Sequence, residues 1–271
     1  MKTLSALVLA AASFAAASPS IVKRGSIPGI DVSHYQGTIN WNTVKANGVQ
    51  FVYIKATEGT TYTDPNFSAN YNGATNVGIL RGGYHFARPD VSSGAAQATY
   101  FLAHGGGWTS DGRTLPGALD IEYNDNGAEC YGLSAASLVS WIKDFSNTYH
   151  SKVGIVNLIY TTTDWWTTCT GNSASFASTN PLWLARYASS VGTLPAGWTY
   201  ETFWQYADSG SNPGDQDIFN GDAAGLKRSV VIFSSPGEML MLATSYQTRP
   251  GLKYLCNRYP NWLIWRLSRD A

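Results

Sequence analysis

Apolar and polar positions fall into a repeating rhythm from Gly29 onward, and the rhythm changes near residue 160. Runs dominated by β-branched and aromatic residues, over 29–35, 51–56 and 80–86, read as strands. Segments over 41–46, 65–75 and 92–104 read as the helices between them, the last ending on Gly105-Gly106-Gly107. A short strand over 119–123 follows. Then comes the clearest helix, 134–149, whose Leu138, Trp141, Ile142 and Phe145 recur at helical spacing. Residues 153–160 give a fifth strand. After it 181–187, 201–206 and 215–219 look like strands with no long amphipathic helix between them. Strands alternating with helices imply βαβ units and a parallel sheet. Five such units and three bare strands predict an α/β fold: a closed, irregular, TIM-like barrel.

In such a barrel the chemistry sits at the C-terminal ends of the strands. Those ends carry Asp31, Lys55 to Glu58, Tyr84 to Phe86, Asp120 with Glu122, Tyr160, Arg186-Tyr187 and Gln205-Tyr206, and Asp215 joins them. The centre of the set is Leu119-Asp120-Ile121-Glu122-Tyr123. Alternation along a strand puts Asp120 and Glu122 on one face and Leu119, Ile121 and Tyr123 on the other. Two carboxyls crowded on one face repel, and burial raises a carboxyl pKa further. A glycosidase needs that arrangement, one group protonated and one ionised. Glu122 is expected to be the acid and Asp120 the ionised partner. Tyr84, Tyr123, Tyr160, Tyr187, Arg186 and Gln205 are candidate substrate contacts, Arg186 alternatively bracing a loop. His34 and His85 are read as hydrogen-bonded structural histidines.

Composition narrows the class. Of 271 residues 44% are hydrophobic, 13% charged and 13% aromatic, which supplies a core but no basic clusters for nucleic acid. The aromatics suit an enzyme that stacks flat apolar ring faces such as sugars. Lys2, the apolar run from Leu4 to Ala12 and Ala15-Ala16-Ala17 read as a signal peptide over 1–17, too short to span a membrane. A pro-segment over 18–24 would end at the dibasic Lys23-Arg24, leaving a secreted, monomeric protein. In that oxidising setting Cys130 and Cys169, both in loops after predicted strands, are expected to pair, leaving Cys256 over. No CxxC or HExxH spacing occurs, so neither a metal nor a cofactor is expected; nor is a nucleic-acid or membrane partner. The barrel should end near residue 228. Residues 25–226 hold 8 basic and 16 acidic side chains (formal −8), whereas 227–271 hold 7 and 2 (+5). The tail over 229–271 also lacks periodicity and is expected to stand outside the fold.

Gly29-Ile30-Asp31-Val32-Ser33-His34-Tyr35-Gln36-Gly37, Gly83-Tyr84-His85-Phe86, Asp120-Ile121-Glu122 and Trp204-Gln205-Tyr206 together resemble glycoside hydrolase family 25, the muramidase-type lysozymes. The resemblance covers about 27–226. It implies a modified TIM-like (β/α)5(β)3 barrel and cleavage of the β-1,4 bond between N-acetylmuramic acid and N-acetylglucosamine in bacterial peptidoglycan. It also implies a catalytic set of Asp31, Asp120, Glu122 and a last-strand aspartate, aligned with Asp215 and alternatively with Asp217. A carbohydrate-binding lectin on the same barrel would have lost a core carboxyl, and all four positions are acidic. A chitinase-like enzyme would carry a longer D-x-x-D-x-D-x-E run, where 115, 116 and 118 here are Leu, Pro and Ala.

Overall fold

The structure is a computed structural model that describes residues 26–229. The predicted signal and pro-segment, Cys256 and the tail beyond Ser229 lie outside the described residues. In chain order the first elements are β1 (Ser26–Val32), α1 (Trp41–Ala46), β2 (Phe51–Glu58), β3 (Tyr62–Thr63), α2 (Phe67–Asn76) and β4 (Leu80–Phe86). Next come α3 (Gly94–Ala103), β5 (Ala118–Asp120), α4 (Ala135–Val153), β6 (Leu158–Thr161) and α5 (Thr163–Thr170). The chain then runs through β7 (Leu182–Ala185), β8 (Phe203–Ala207), β9 (Asp215–Asn220) and α6 (Ala223–Ser229).

Eight strands close in the order β1-β9-β8-β7-β6-β5-β4-β2, with β2 returning to β1. All run parallel except β9, which is antiparallel to both β8 and β1. The predicted barrel is therefore present. Because β9 is reversed, its first residue and not its last stands at the mouth. Asp215 pairs in register with Asp31 for that reason.

Alternation sorts the side chains into two layers. Phe51, Tyr53, Leu158, Trp183, Phe203 and Phe219 fill the interior below the mouth. Outward-facing Ile30, Val52 and Ile54 pack under α1 and α2, and Leu119, Ile159 and Leu184 pack under α3 to α5. Truncating a buried Phe of this plug to Ala should cost about 3–5 kcal/mol. Gly94 lets α3 lie against α4: a Cβ there would overlap the Trp141 carbonyl and the Phe145 backbone.

The elements differ from expectation in places that have physical reasons. Helix α4 runs to Val153 and stops where Gly154 takes a left-handed conformation, so 153 belongs to the helix and β6 starts only at Leu158. Helix α5 was not expected in a Thr-rich stretch of poor helix formers. It forms because Thr162 Oγ1 caps Trp165 N (3.0 Å), Gly171 closes the other end, and Trp165, Trp166, Cys169 and Thr170 are buried. Cys169 therefore sits in the last turn of a helix, not in a loop. It still bonds Cys130, with Cα atoms 5.2 Å apart, well inside the range a disulfide spans. Helix α6 extends to Ser229, which is buried and bonds the Gly225 and Leu226 carbonyls, so the fold reaches one residue past the expected boundary.

Candidate active site

The mouth of the barrel opens into a cleft of about 400 Å³, the size of a small-molecule site. Asp31, Asp120, Glu122, Asp215, Tyr84, Tyr160 and Gln205 line it. Seven of the ten candidate catalytic and substrate-binding residues thus meet in one place, and the rest sort by strand alternation.

Strand β5 ends at Asp120, earlier than expected, but the chain stays extended for one more residue. Ile121 N donates to the Tyr160 carbonyl (3.0 Å), and Ala87 N donates to the Asp120 carbonyl (2.8 Å). Ile121 consequently packs outward, and Glu122 turns back beside Asp120 within hydrogen-bonding reach. The same alternation takes Tyr123 away from the cleft. Its ring packs against the outer core, and its hydroxyl donates to Asp164 Oδ2 (3.1 Å) and accepts from Thr162 Oγ1 (3.2 Å). Tyr123, expected as a substrate contact, does not line the cleft.

Across the cleft, Gln205 ties the β1–β9 seam together. Its Nε2 donates to Asp31 Oδ2 (2.7 Å) and Asp215 Oδ2 (2.9 Å), while its Oε1 accepts from the hydroxyls of Tyr160 (2.8 Å) and Tyr187 (3.1 Å). Tyr187 thus touches the site through its hydroxyl from an exposed rim position. Gly214 is required beside it: φ is +76°, and a Cβ would strike the Asp31 carbonyl. Asp217, the alternative last-strand aspartate, lies beneath, fully buried, accepting from Trp183 Nε1 (2.9 Å). Asp215 is the one that faces the cleft. Arg186 does not: it is exposed, its guanidinium lies against Gly192, and it braces the loop after β7.

Burial sets the electrostatics. It pushes the Asp31 carboxyl up to about 7, helped by the Asp215 charge. Burial and the nearby Asp208 raise Asp215 to about 6. Glu122 rises to about 7 through burial and the Asp125 charge. Asp120 is raised well above the usual range, first by burial and then by Glu122. The Lys55 ammonium pulls both members of this pair down without cancelling burial. Burial and mutual repulsion favour a state in which the pair keeps a proton. Burial is the first cause in both, so it opposes ionisation of Asp120 as well as of Glu122.

His85 is buried between Thr57 Oγ1 (2.7 Å) and Gln97 Oε1 (2.9 Å), and burial lowers it to about 4. His34 is held by Asp64 Oδ2 (3.0 Å). Both are structural, as read from the sequence. Sequence reasoning left out Ser33, Tyr35, Asp125, Asn126 and Trp183 and gave no role to Lys55, Glu58 and Phe86, all of which line the cleft. Lys55, Glu58 and Phe86 were legible as strand-end residues. Trp183 was hidden by its apolar neighbours, which make β7 read as plain core.

A closed eight-stranded barrel with six carboxyls lining one mouth and a seventh, Asp217, beneath it is a scaffold suited to a glycosidase. Residues 30–215 match the sequence profile of Glycosyl hydrolases family 25, and the chain belongs to that family. The N,O-diacetylmuramidase of Arthroderma benhamiae is 50% identical over 231 residues, 84% of this chain and 98% of that protein. The N,O-diacetylmuramidase of a Chalaropsis species is 52% identical over 207 residues, covering 75% and 98%. Among solved structures, the muramidase from Acremonium alcalophilum superposes with a TM-score of 0.75 at 60% identity, over 75% of this chain and 98% of that one. The protein is a glycoside hydrolase.

Proposed function

We infer that the cleft is that of a lysozyme, hydrolysing the β-1,4 bond between N-acetylmuramic acid and N-acetylglucosamine in bacterial peptidoglycan with retention of configuration. The observation that carries the mechanism is the contact between Asp120 and Glu122. Carboxyls that flank a sugar ring stand about 5–5.5 Å apart for direct attack, or about 6.5–9.5 Å apart with a water between. This pair is carried by one strand end and each carboxyl acts on the other's ionisation, so both members approach the sugar from one side.

The nucleophile then comes from the substrate. Glu122 gives its proton to the leaving glycosidic oxygen as the C1–O bond breaks, and the carbonyl oxygen of the 2-acetamido group closes on C1. Asp120 accepts a hydrogen bond from the acetamido N–H and faces the positive charge that develops. That bond favours the ionised form of Asp120, so binding moves the shared proton to Glu122, where it is needed. Water next adds to C1, opens the cyclic intermediate and returns its proton to Glu122. Asp31 and Asp215 orient sugar hydroxyls from the opposite wall.

The same reading makes residues 1–24 a signal and pro-segment, places the protein outside the cell as a monomer, and leaves 230–271 outside the catalytic unit. The apolar run at 4–12, the dibasic pair and the disulfide support it. The test is product analysis: digest purified peptidoglycan, reduce the new ends with borohydride and identify them. Reduced muramic acid is expected. Reduced glucosamine, or binding without new ends, would overturn the reading.

A further inference from the structure

Four large hydrophobic side chains are exposed among the described residues: Tyr35, Val91, Tyr187 and Tyr200. The first three follow β1, β4 and β7, at the cleft end of the barrel. Tyr35 stands apart because it is 81% exposed and yet lines the cleft.

The turn that carries it is held rigidly. Ser33 Oγ accepts from Tyr35 N (3.2 Å), and Ser33 N donates to Gln36 Oε1 (2.8 Å). His34 N donates to buried Asp64 Oδ2 (2.9 Å), and Asn66 Nδ2 donates to the Gly37 carbonyl (3.3 Å). The His34 ring is fixed by Asp64 (3.0 Å) and the Tyr62 hydroxyl (3.1 Å), and its centroid lies 4.1 Å from that of Tyr35 at 35°. One face of the Tyr35 ring is backed by His34; the other is open. Folding gains nothing from leaving this ring in water, and a rigid aromatic loses little conformational entropy on meeting a ligand.

The floor of the cleft selects the ligand. Asp31, Glu58, Asp120, Glu122, Asp125 and Asp215 line it against one cation, Lys55. An anionic group is repelled there, whereas a neutral sugar is not. The axial C–H bonds of a β-linked pyranose make an apolar face carrying slight positive charge, which suits the negative face of an aromatic ring. Tyr35 follows β1, and Glu122 follows β5, three strand spacings away through β2 and β4. At about 4.8 Å per spacing that is roughly 14 Å of barrel wall. The offset puts Tyr35 on a different sector of the rim from the acid.

We propose that Tyr35 forms an outer sugar subsite, where its open face stacks on a neutral N-acetylhexosamine ring of the glycan strand, away from the scissile bond. The proposal rests on the muramidase reading of the same cleft. Its test is binding in the full chain, with Glu122→Gln as background so that substrate survives. The probe is glycan strands freed of their stem peptides.

Adding Tyr35→Ala should weaken Kd about two- to tenfold, the range of an aromatic contact, and Tyr35→Trp should restore it. With the acid intact, Tyr35→Ala should raise KM on long strands and leave kcat and the melting temperature unchanged. Equal Kd values would overturn the subsite. So would a loss confined to strands that still carry peptides, which would assign Tyr35 to the peptide. Failure of the unsubstituted protein to release muramic-acid ends would overturn the muramidase reading instead, while the Kd comparison still judges the subsite.

Discussion

Asp31, Asp215 and Asp217 at the β1–β9 seam each receive a hydrogen bond from a neutral side chain, Gln205 or Trp183. Asp120 and Glu122, at and just past the end of β5, face each other with no such neutral donor, although Asp120 Oδ1 and the seam's Asp217 Oδ2 are alike in being buried without a partner. Burial raises every one of these carboxyls, so burial alone does not separate the two groups. What separates them is whether a fixed donor holds the carboxyl. The seam is built to stay in place, as a wall that orients a substrate must. The pair is left with a proton to exchange, as an acid must be.

The largest break in this comparison is at the pair. Glu122→Gln should fold normally and lose at least about 10²–10⁴ in rate, the contribution of general acid catalysis. Asp120→Asn should also be severely impaired, measured as release of reducing ends. Removing the disulfide acts on the loop that carries Asp125 and follows the pair, and leaves the seam alone. Its sequence separation of 39 residues predicts a stability loss of about 3–4 kcal/mol for Cys130→Ser, read from denaturant unfolding. Gln205→Leu takes the donor from two seam carboxyls at once. It should cost about tenfold in kcat/KM, close to 1.4 kcal/mol, with the acid-base pH profile keeping its midpoint.

The pH dependence sharpens the contrast. Asp31 and Glu122 titrate near 7 and Asp215 near 6 in the fold, above ordinary carboxyls. Between about pH 4 and 7 the folded state therefore binds more protons than the unfolded chain, and stability must fall as pH rises. His85, lowered to about 4, pulls the other way below its ordinary 6.5. Asp120 and Asp217, also raised, add to the carboxyl side, so it is one group against five and the melting temperature should drop across this range. Activity should fall as pH rises through about 7, where Glu122 gives up its proton. Glu122→Gln should flatten part of the stability slope. The smallest effect is expected at the tail: ending the chain after Ser229 should change neither group, nor the melting temperature.

Most of the barrel was legible because alternation and helical spacing are local signals, and the helix α1 and strand β4 fall where the pattern puts them. The convergence of Asp31, Asp120 and Glu122 followed from strand ends, and Asp215, which starts its strand, from the family resemblance. Helix α5 was not legible from propensity, since Trp165 and Trp166 hold it by burial from outside the segment. Tyr123 was misplaced although the alternation that faces Asp120 inward already turns it outward. Trp183 carried no signal of its own in an apolar strand, and Tyr35, read as the end of the first strand, stands instead in a turn after β1 stops at Val32.

The central claim is that the Asp120–Glu122 pair works from one side of the sugar and the substrate's own acetamido group attacks from within. NMR of the first product released from glycan strands tests it directly. The β-anomer at the new reducing end should appear first and convert slowly to the α-anomer. An α-anomer appearing first would mean that water attacks directly, and would contradict the account.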